Sequence, residues 1–354
     1  MRFSSAVVAA VVAAGLSAAA PLVVERMDEQ AVITDGTPDP SPPPGAPELT
    51  PAPPDIQTAL TLEHLEDNFY RTGLQNFSEA AFAEAGFDAT FFQNVKEIAK
   101  DEQTHVEFLT KALTGEESPS PLRGYMVRSV GGLISFSCPV DGGFTPVKEC
   151  EYSFPVTDVK SFVLVSSILE GVGVTAYLGA AAQIMSGDIL TAAGSILTVE
   201  ARHSAFLRSA LQESPFPQPF DVPLSLDEVF TLAAGFIVSC PADNPKLPVK
   251  AFPTLVLDPA TPSPVVGGQY VTLLTPGYQL KPANGGTPIF GAWITVTGPI
   301  FVEAEPVNGG FSVEVPSEVN GQSYVVLTGC NETVTDDTVA AGPAIVEITQ
   351  PLEE

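Results

Sequence analysis

Glu102-Gln103-Thr104-His105 and its later counterpart Glu200-Ala201-Arg202-His203 decide how this sequence is read. The chain holds three histidines, and two of them close a Glu-x-x-His pair. Residues three apart on a helix project from one face, so a carboxylate and an imidazole can converge on a single ion. Both pairs fall where the core should be. Glu102 and His105 extend the apolar stripe Val95, Ile98, Ala99 and Leu109, and Glu200 and His203 lie between Ile196 and the pair Leu207, Leu211. A buried carboxylate is costly unless it is paired or binds a cation.

The segment between these pairs sharpens the argument. From Ser161 to Gly187, twenty-seven residues carry one charge, Glu170. A lone glutamate in so apolar a helix demands a partner. A membrane span fits the length, but the glycines, the serines and the amphipathic neighbours favour a buried core helix. A fourth contribution must come from the first helix, where Glu63 and Glu66 both qualify. An internal repeat favours Glu63: Tyr70 follows it by seven residues, as Tyr177 follows Glu170, and each such helix precedes one bearing Glu-x-x-His. Glu66, one turn away, is the alternative. His64 points about 100° away from Glu63 and reads as a flanking residue.

The rest of the chain arranges itself around these four helices. Apolar periodicity predicts them at about 55–75, 88–113, 157–186 and 188–213, with a fifth near 226–239 opened by the capping-box sequence Ser225-Leu226-Asp227-Glu228. Short links join the first to the second and the third to the fourth, whereas some forty residues separate the second from the third. The expected architecture is an all-α four-helix bundle with a long helix 2–3 crossover. Beyond residue 251 short β-prone runs follow, Tyr270–Leu274, Ile289–Val296, Phe301–Glu303, Phe311–Val315, Tyr324–Leu327 and Ala344–Ile348, with turns such as Asn308-Gly309-Gly310 between them. They predict a small all-β sandwich-like C-terminal domain. The domains are then 1–20, 21–54, 55–250 and 251–354.

Residues 1–20 read as a signal peptide: Arg2, an apolar run from Ala6, and the small residues Ser17-Ala18-Ala19-Ala20. The stretch 21–54 is a proline-rich leader. The C-terminus has no apolar tail to exchange for a lipid anchor. Secretion, to the extracellular space or cell wall, is expected. Four cysteines, Cys138, Cys150, Cys240 and Cys330, contain no Cys-x-x-Cys pair and read as disulfides. Joining Cys138 to Cys150 closes a short loop and leaves Cys240 with Cys330, one of three connectivities open to four cysteines. Asn76-Phe77-Ser78 and Asn331-Glu332-Thr333 are glycosylation sequons. The net charge of −27, from 42 acidic and 15 basic residues, argues against nucleic-acid partners and anionic membranes.

With its doubled Glu-x-x-His, the sequence resembles the ferritin-like superfamily of dinuclear carboxylate proteins, which includes ferritins, rubrerythrins and manganese catalases. Leu62-Glu63-His64-Leu65-Glu66-Asp67-Asn68-Phe69-Tyr70 and Ser239-Cys240-Pro241-Ala242-Asp243-Asn244-Pro245 resemble, more closely, secreted fungal ferritin-like domain proteins of stress-response or desiccation-related type. The resemblance covers about 55–250. It implies two metal ions, iron or manganese. Glu63, Glu102 and His105 would serve one and Glu170, Glu200 and His203 the other, some glutamates bridging, with Tyr70 and Tyr177 orienting glutamates from behind. The activity it implies is that of an oxidase, peroxidase or catalase-like enzyme acting on oxygen or peroxide. A competing expectation is a non-catalytic structural or binding protein with cell-wall contacts. Iron storage in a cage fits less well, given the long crossover and the β-rich tail.

Overall fold

The computed structural model describes residues 54–114, 144–184, 187–281 and 288–349. The expected signal peptide, nearly all of the leader, Cys138 and most of the helix 2–3 connection lie outside these residues. The described chain up to residue 234 holds six α-helices: α1 (Pro54–Asn76), α2 (Glu79–Ala85), α3 (Ala89–Thr114), α4 (Val159–Ala180), α5 (Gly187–Ala210) and α6 (Leu226–Ala234). The short α2, with seven residues, is too brief to show a helical period. Ser78 caps its start, and Gly86 ends it at φ +99°, a left-handed conformation that glycine adopts without penalty. Asp158 caps α4 by accepting from Ser161 N at 2.8 Å. Ser225 and Glu228 close the expected capping box on α6.

The sixth helix stops at Ala234, short of the expected 239, and Ile237–Ser239 is a strand. That strand, β2, pairs antiparallel with β1 (Glu151–Tyr152), setting Glu151 opposite Ser239. The flanking Cys150 and Cys240 therefore meet, and they form the disulfide. The expected pairing of Cys138 with Cys150 is thus wrong, and so is that of Cys240 with Cys330: Cys330 is a free, half-buried thiol. A short sequence interval counted for less than strand pairing across a separation of 90 residues. Replacing Cys150 and Cys240 by serine should lower unfolding free energy by about 2–4 kcal/mol. Urea titration checks this.

The C-terminal region forms two four-stranded sheets. One has the order β10-β9-β5-β6, from Val339–Ile348, Gly321–Thr328, Phe290–Trp293 and Ile300–Glu303. The other has β3-β4-β8-β7, from Val256–Leu257, Tyr270–Leu274, Gly310–Glu314 and Glu305–Val307. All pairings between these strands are antiparallel. Alternation assigns the faces. Val325, Leu327, Ala344 and Val346 enter a core shared with Val271, Leu273, Phe311 and Val313 of the second sheet. Tyr324, Val326 and Ile345 enter the core of the helices, with Phe69, Phe162, Leu169 and Phe236. Strand β9 is buried on both faces, so its centre, Tyr324 to Leu327, is a continuous apolar run rather than an alternation.

Helix α4 is long and apolar enough to cross a bilayer, yet 83% of its most apolar window is buried inside the protein. That is how a core helix behaves. It lies among α1, α5, α6 and the sheet, and its axis carries Glu170 into the centre of the helices.

Candidate metal centre

Four helices deliver five buried carboxylates to one place. Glu63 and Glu66 come from α1, Glu102 from α3, Glu170 from α4 and Glu200 from α5, each 0–3% exposed. His105 and His203, on α3 and α5, turn Nδ1 toward them. His105 Nδ1 lies 3.0 Å from Glu102 Oε2, 3.2 Å from Glu63 Oε2 and 3.3 Å from Glu200 Oε1. His203 Nδ1 lies 3.0 Å from Glu102 Oε1 and 3.2 Å from Glu170 Oε2. The ligand atoms fall into two overlapping groups, each within 4.8 Å: Glu63, Glu102, His105 and Glu200, and Glu102, Glu170, Glu200 and His203. Glu102 and Glu200 belong to both.

The contacts reveal a local twofold arrangement. Tyr70 on α1 donates its hydroxyl proton to Glu170 on α4, while Tyr177 on α4 donates to Glu63 on α1. Partners that pair in reversed order along the two helices require α1 and α4 to run antiparallel. His105 with Glu200 and His203 with Glu102 establish the same for α3 and α5. Each tyrosine thus serves the opposite half of the repeat, not the glutamate two turns back on its own helix. Burial, reinforced by the neighbouring carboxylates, holds both phenols well above their usual range, so they remain donors.

Several carboxylate oxygens here lack a partner of their own. Glu200 Oε2 is buried with no hydrogen-bond partner, while Glu63 Oε2, Glu102 Oε1 and Glu200 Oε1 have only a shared histidine Nδ1 within 3.0–3.3 Å. Unpaired buried carboxylate oxygens each carry a desolvation cost. Five acids facing two imidazoles need either protons or cations. Buried carboxylates and imidazoles gathered this closely could hold metal ions.

Without a cation, such a centre would balance its charge with protons. Burial first, then repulsion from Glu200, raises Glu102 to about 7 even though both histidines pull it down. Burial also pushes Glu66, Glu170 and Glu200 up. For His203, burial pulls the imidazole down, but hydrogen bonds to Glu102 and Glu170 prevail and lift it to about 11. His105 moves up in the same way. Every one of these groups binds protons more tightly folded than unfolded. Stability should therefore fall as pH rises, from near 4.5 to about 7 through Glu102 and from near 6.5 to about 11 through His203. Thermal melts of chelated protein should show a lower midpoint at pH 8 than at pH 5. Metal must displace the same protons, so its affinity should rise over that interval.

Two neighbours were not visible in the sequence. Asp101, half-exposed, lies 3.3 Å from His203 Nε2, the arrangement by which an outer carboxylate orients a ligating imidazole. Nothing local links residues 101 and 203. The sheet also braces α4 on both sides of Glu170: Gln322 Nε2 donates to Ile168 O at 3.2 Å and Tyr324 Oη to Gly171 O at 3.1 Å. His64 stands outside the cluster, with Nε2 3.2 Å from Val147 O. Asn76 and Asn331 are exposed.

Comparison with known proteins places these features in context. Residues 55–129 and 133–213 match a family model described as a ferritin-like domain. The protein rds1 of Schizosaccharomyces pombe is 24% identical over 348 aligned residues, covering 82% of this chain and 79% of rds1.

Proposed function

From a ferritin-like helical region whose buried glutamates and histidines could hold metal, we propose that this protein is a secreted dinuclear iron or manganese protein, built on a four-helix bundle, that reacts with oxygen or peroxide in a stress response. The observation that carries this reading is the pair of overlapping ligand groups joined by Glu102 and Glu200, with Glu200 Oε2 buried and unpartnered. Glu63 and His105 would serve one ion, Glu170 and His203 the other, and Glu102 and Glu200 both. When bound, iron or manganese would supply one-electron chemistry toward oxygen or peroxide.

The chain's own contribution is positioning and exclusion. Tyr70 and Tyr177 hold Glu170 and Glu63 by one oxygen each and leave the other to face the centre. Leu62, Leu65, Ile168, Leu169 and Val172 keep one side of it dry. The Asp101 carboxylate on His203 Nε2 would keep that ring turned with Nδ1 inward. Secretion is supported by the Cys150–Cys240 disulfide and by the exposed sequon asparagines.

Elemental analysis and the absorption spectrum of protein purified from culture medium test the proposal. The expected result is about two iron or manganese ions per chain, the stoichiometry of a dinuclear carboxylate site. Metal-free protein that stays metal-free after incubation with both ions would end it.

A further inference from the structure

Glu66 and Gly173 break the twofold arrangement. Three residues after Glu63 stands Glu66; three residues after Glu170, the equivalent place holds Gly173. A Cβ on Gly173 would lie 2.6 Å from Glu200 Oε2 and 3.2 Å from Glu66 Oε1. Any larger residue there would collide with Glu200 and crowd Glu66. The missing side chain in one half makes the space that the extra acid of the other half uses.

Glu66 is 3% exposed and makes no hydrogen bond or ion pair among the described residues. Its stem borders a small apolar cavity lined by Leu62, Leu65, Ile168, Val172 and Phe236. The charges that act on it most strongly are those of Glu200, Glu102, Glu63 and Glu170, all acids. A carboxylate needed only for packing would be better replaced by leucine in such surroundings. One aimed at Glu200 across a glycine gap has a use only if a cation comes between them.

Building on the dinuclear reading above, we infer that Glu66 is a seventh metal ligand, sharing with Glu200 the side of the centre that Gly173 leaves open. Glu63 and Glu66 are then both ligands rather than alternatives. The two ions become inequivalent, because the half built on α1 supplies two carboxylates and the half built on α4 one. An additional anionic ligand favours the more highly charged, oxidised ion pair.

The test compares wild type with Glu66→Gln by titrating metal-free protein with Mn(II), following free Mn(II) by electron paramagnetic resonance and protein stability by thermal melts. The expected result is two ions bound by wild type, at least about tenfold weaker binding of one of them by the variant, and a smaller metal-induced rise in midpoint. Equal stoichiometry, affinity and midpoint rise in the two proteins would overturn the assignment and leave the dinuclear reading standing. Wild type that binds neither Mn(II) nor, in a parallel anaerobic titration, Fe(II) would remove the dinuclear reading itself, and the assignment with it. Should Glu66→Gln fail to fold, Glu66→Leu, matched to the apolar cavity, provides the same comparison.

Discussion

Glu102→Gln is expected to abolish binding of both metal ions, whereas His105→Gln should weaken one and leave the other. The difference follows from connectivity. Glu102 Oε2 faces His105 and Glu102 Oε1 faces His203, each at 3.0 Å, so one carboxylate spans both ligand groups. His105 belongs to one group alone. Losing even an outer partner of a ligand costs about 10- to 100-fold in metal affinity, so a ligand common to both ions should cost more. The same change should stabilise metal-free protein, since it removes one charge from a cluster in which acids repel one another. Metal content after dialysis, read beside melting midpoints, gives both halves. A Glu102→Gln protein that retained two ions would show that the shared carboxylate is not a ligand.

Arg208→Ala should lower unfolding free energy by about 3–5 kcal/mol, the range for removing one partner of a buried ion pair. Arg208 is 5% exposed, on α5, one turn beyond His203. Its Nη1 and Nη2 grip the two oxygens of Glu347 on β10 at 3.0 and 2.8 Å, and Nε donates to Ser214 O at 2.8 Å. Glu213 lies 3.6 Å away, raised to about 8 by its burial and by Glu347 against the pull of Arg208. Stripped of the guanidinium, two acids would face each other where the sheet meets the helices. Denaturant unfolding measures the loss. The double variant Arg208→Met with Glu347→Leu should recover most of it, because apolar groups fill that space without desolvation cost. A loss below about 1 kcal/mol for Arg208→Ala, the size of a surface pair, would mean the pair does not join the two regions.

Much of the helical region could be read from the chain because its signals are local. Val95, Ile98 and Leu109 recur at helical spacing, and Glu102 with His105 interrupts them on the buried face. Glu170 stood out through isolation alone. The strands were legible where one face met water, as in Tyr270–Leu274, whose exposed, buried and half-buried residues alternate. Missed strands were two or three residues long: Glu151–Tyr152, Ile237–Ser239, Val256–Leu257 and Glu305–Val307. Segments so short carry no period to detect.

The doubled Glu-x-x-His, the apolar helix around Glu170 and the repeat of Glu before Tyr are properties of the sequence alone, because each rests on spacing within one helix, where geometry follows from 3.6 residues per turn. What crosses between helices was decided by the tertiary structure. Only the antiparallel packing of α1 on α4 sends Tyr70 to Glu170 and Tyr177 to Glu63. Only the β1–β2 pairing selects Cys150 and Cys240. And only the absence of a side chain at Gly173, set against Glu66 on another helix, shows that the choice between Glu63 and Glu66 need not be made: both are buried at the centre, and no spacing along one helix reports what an opposing helix leaves empty.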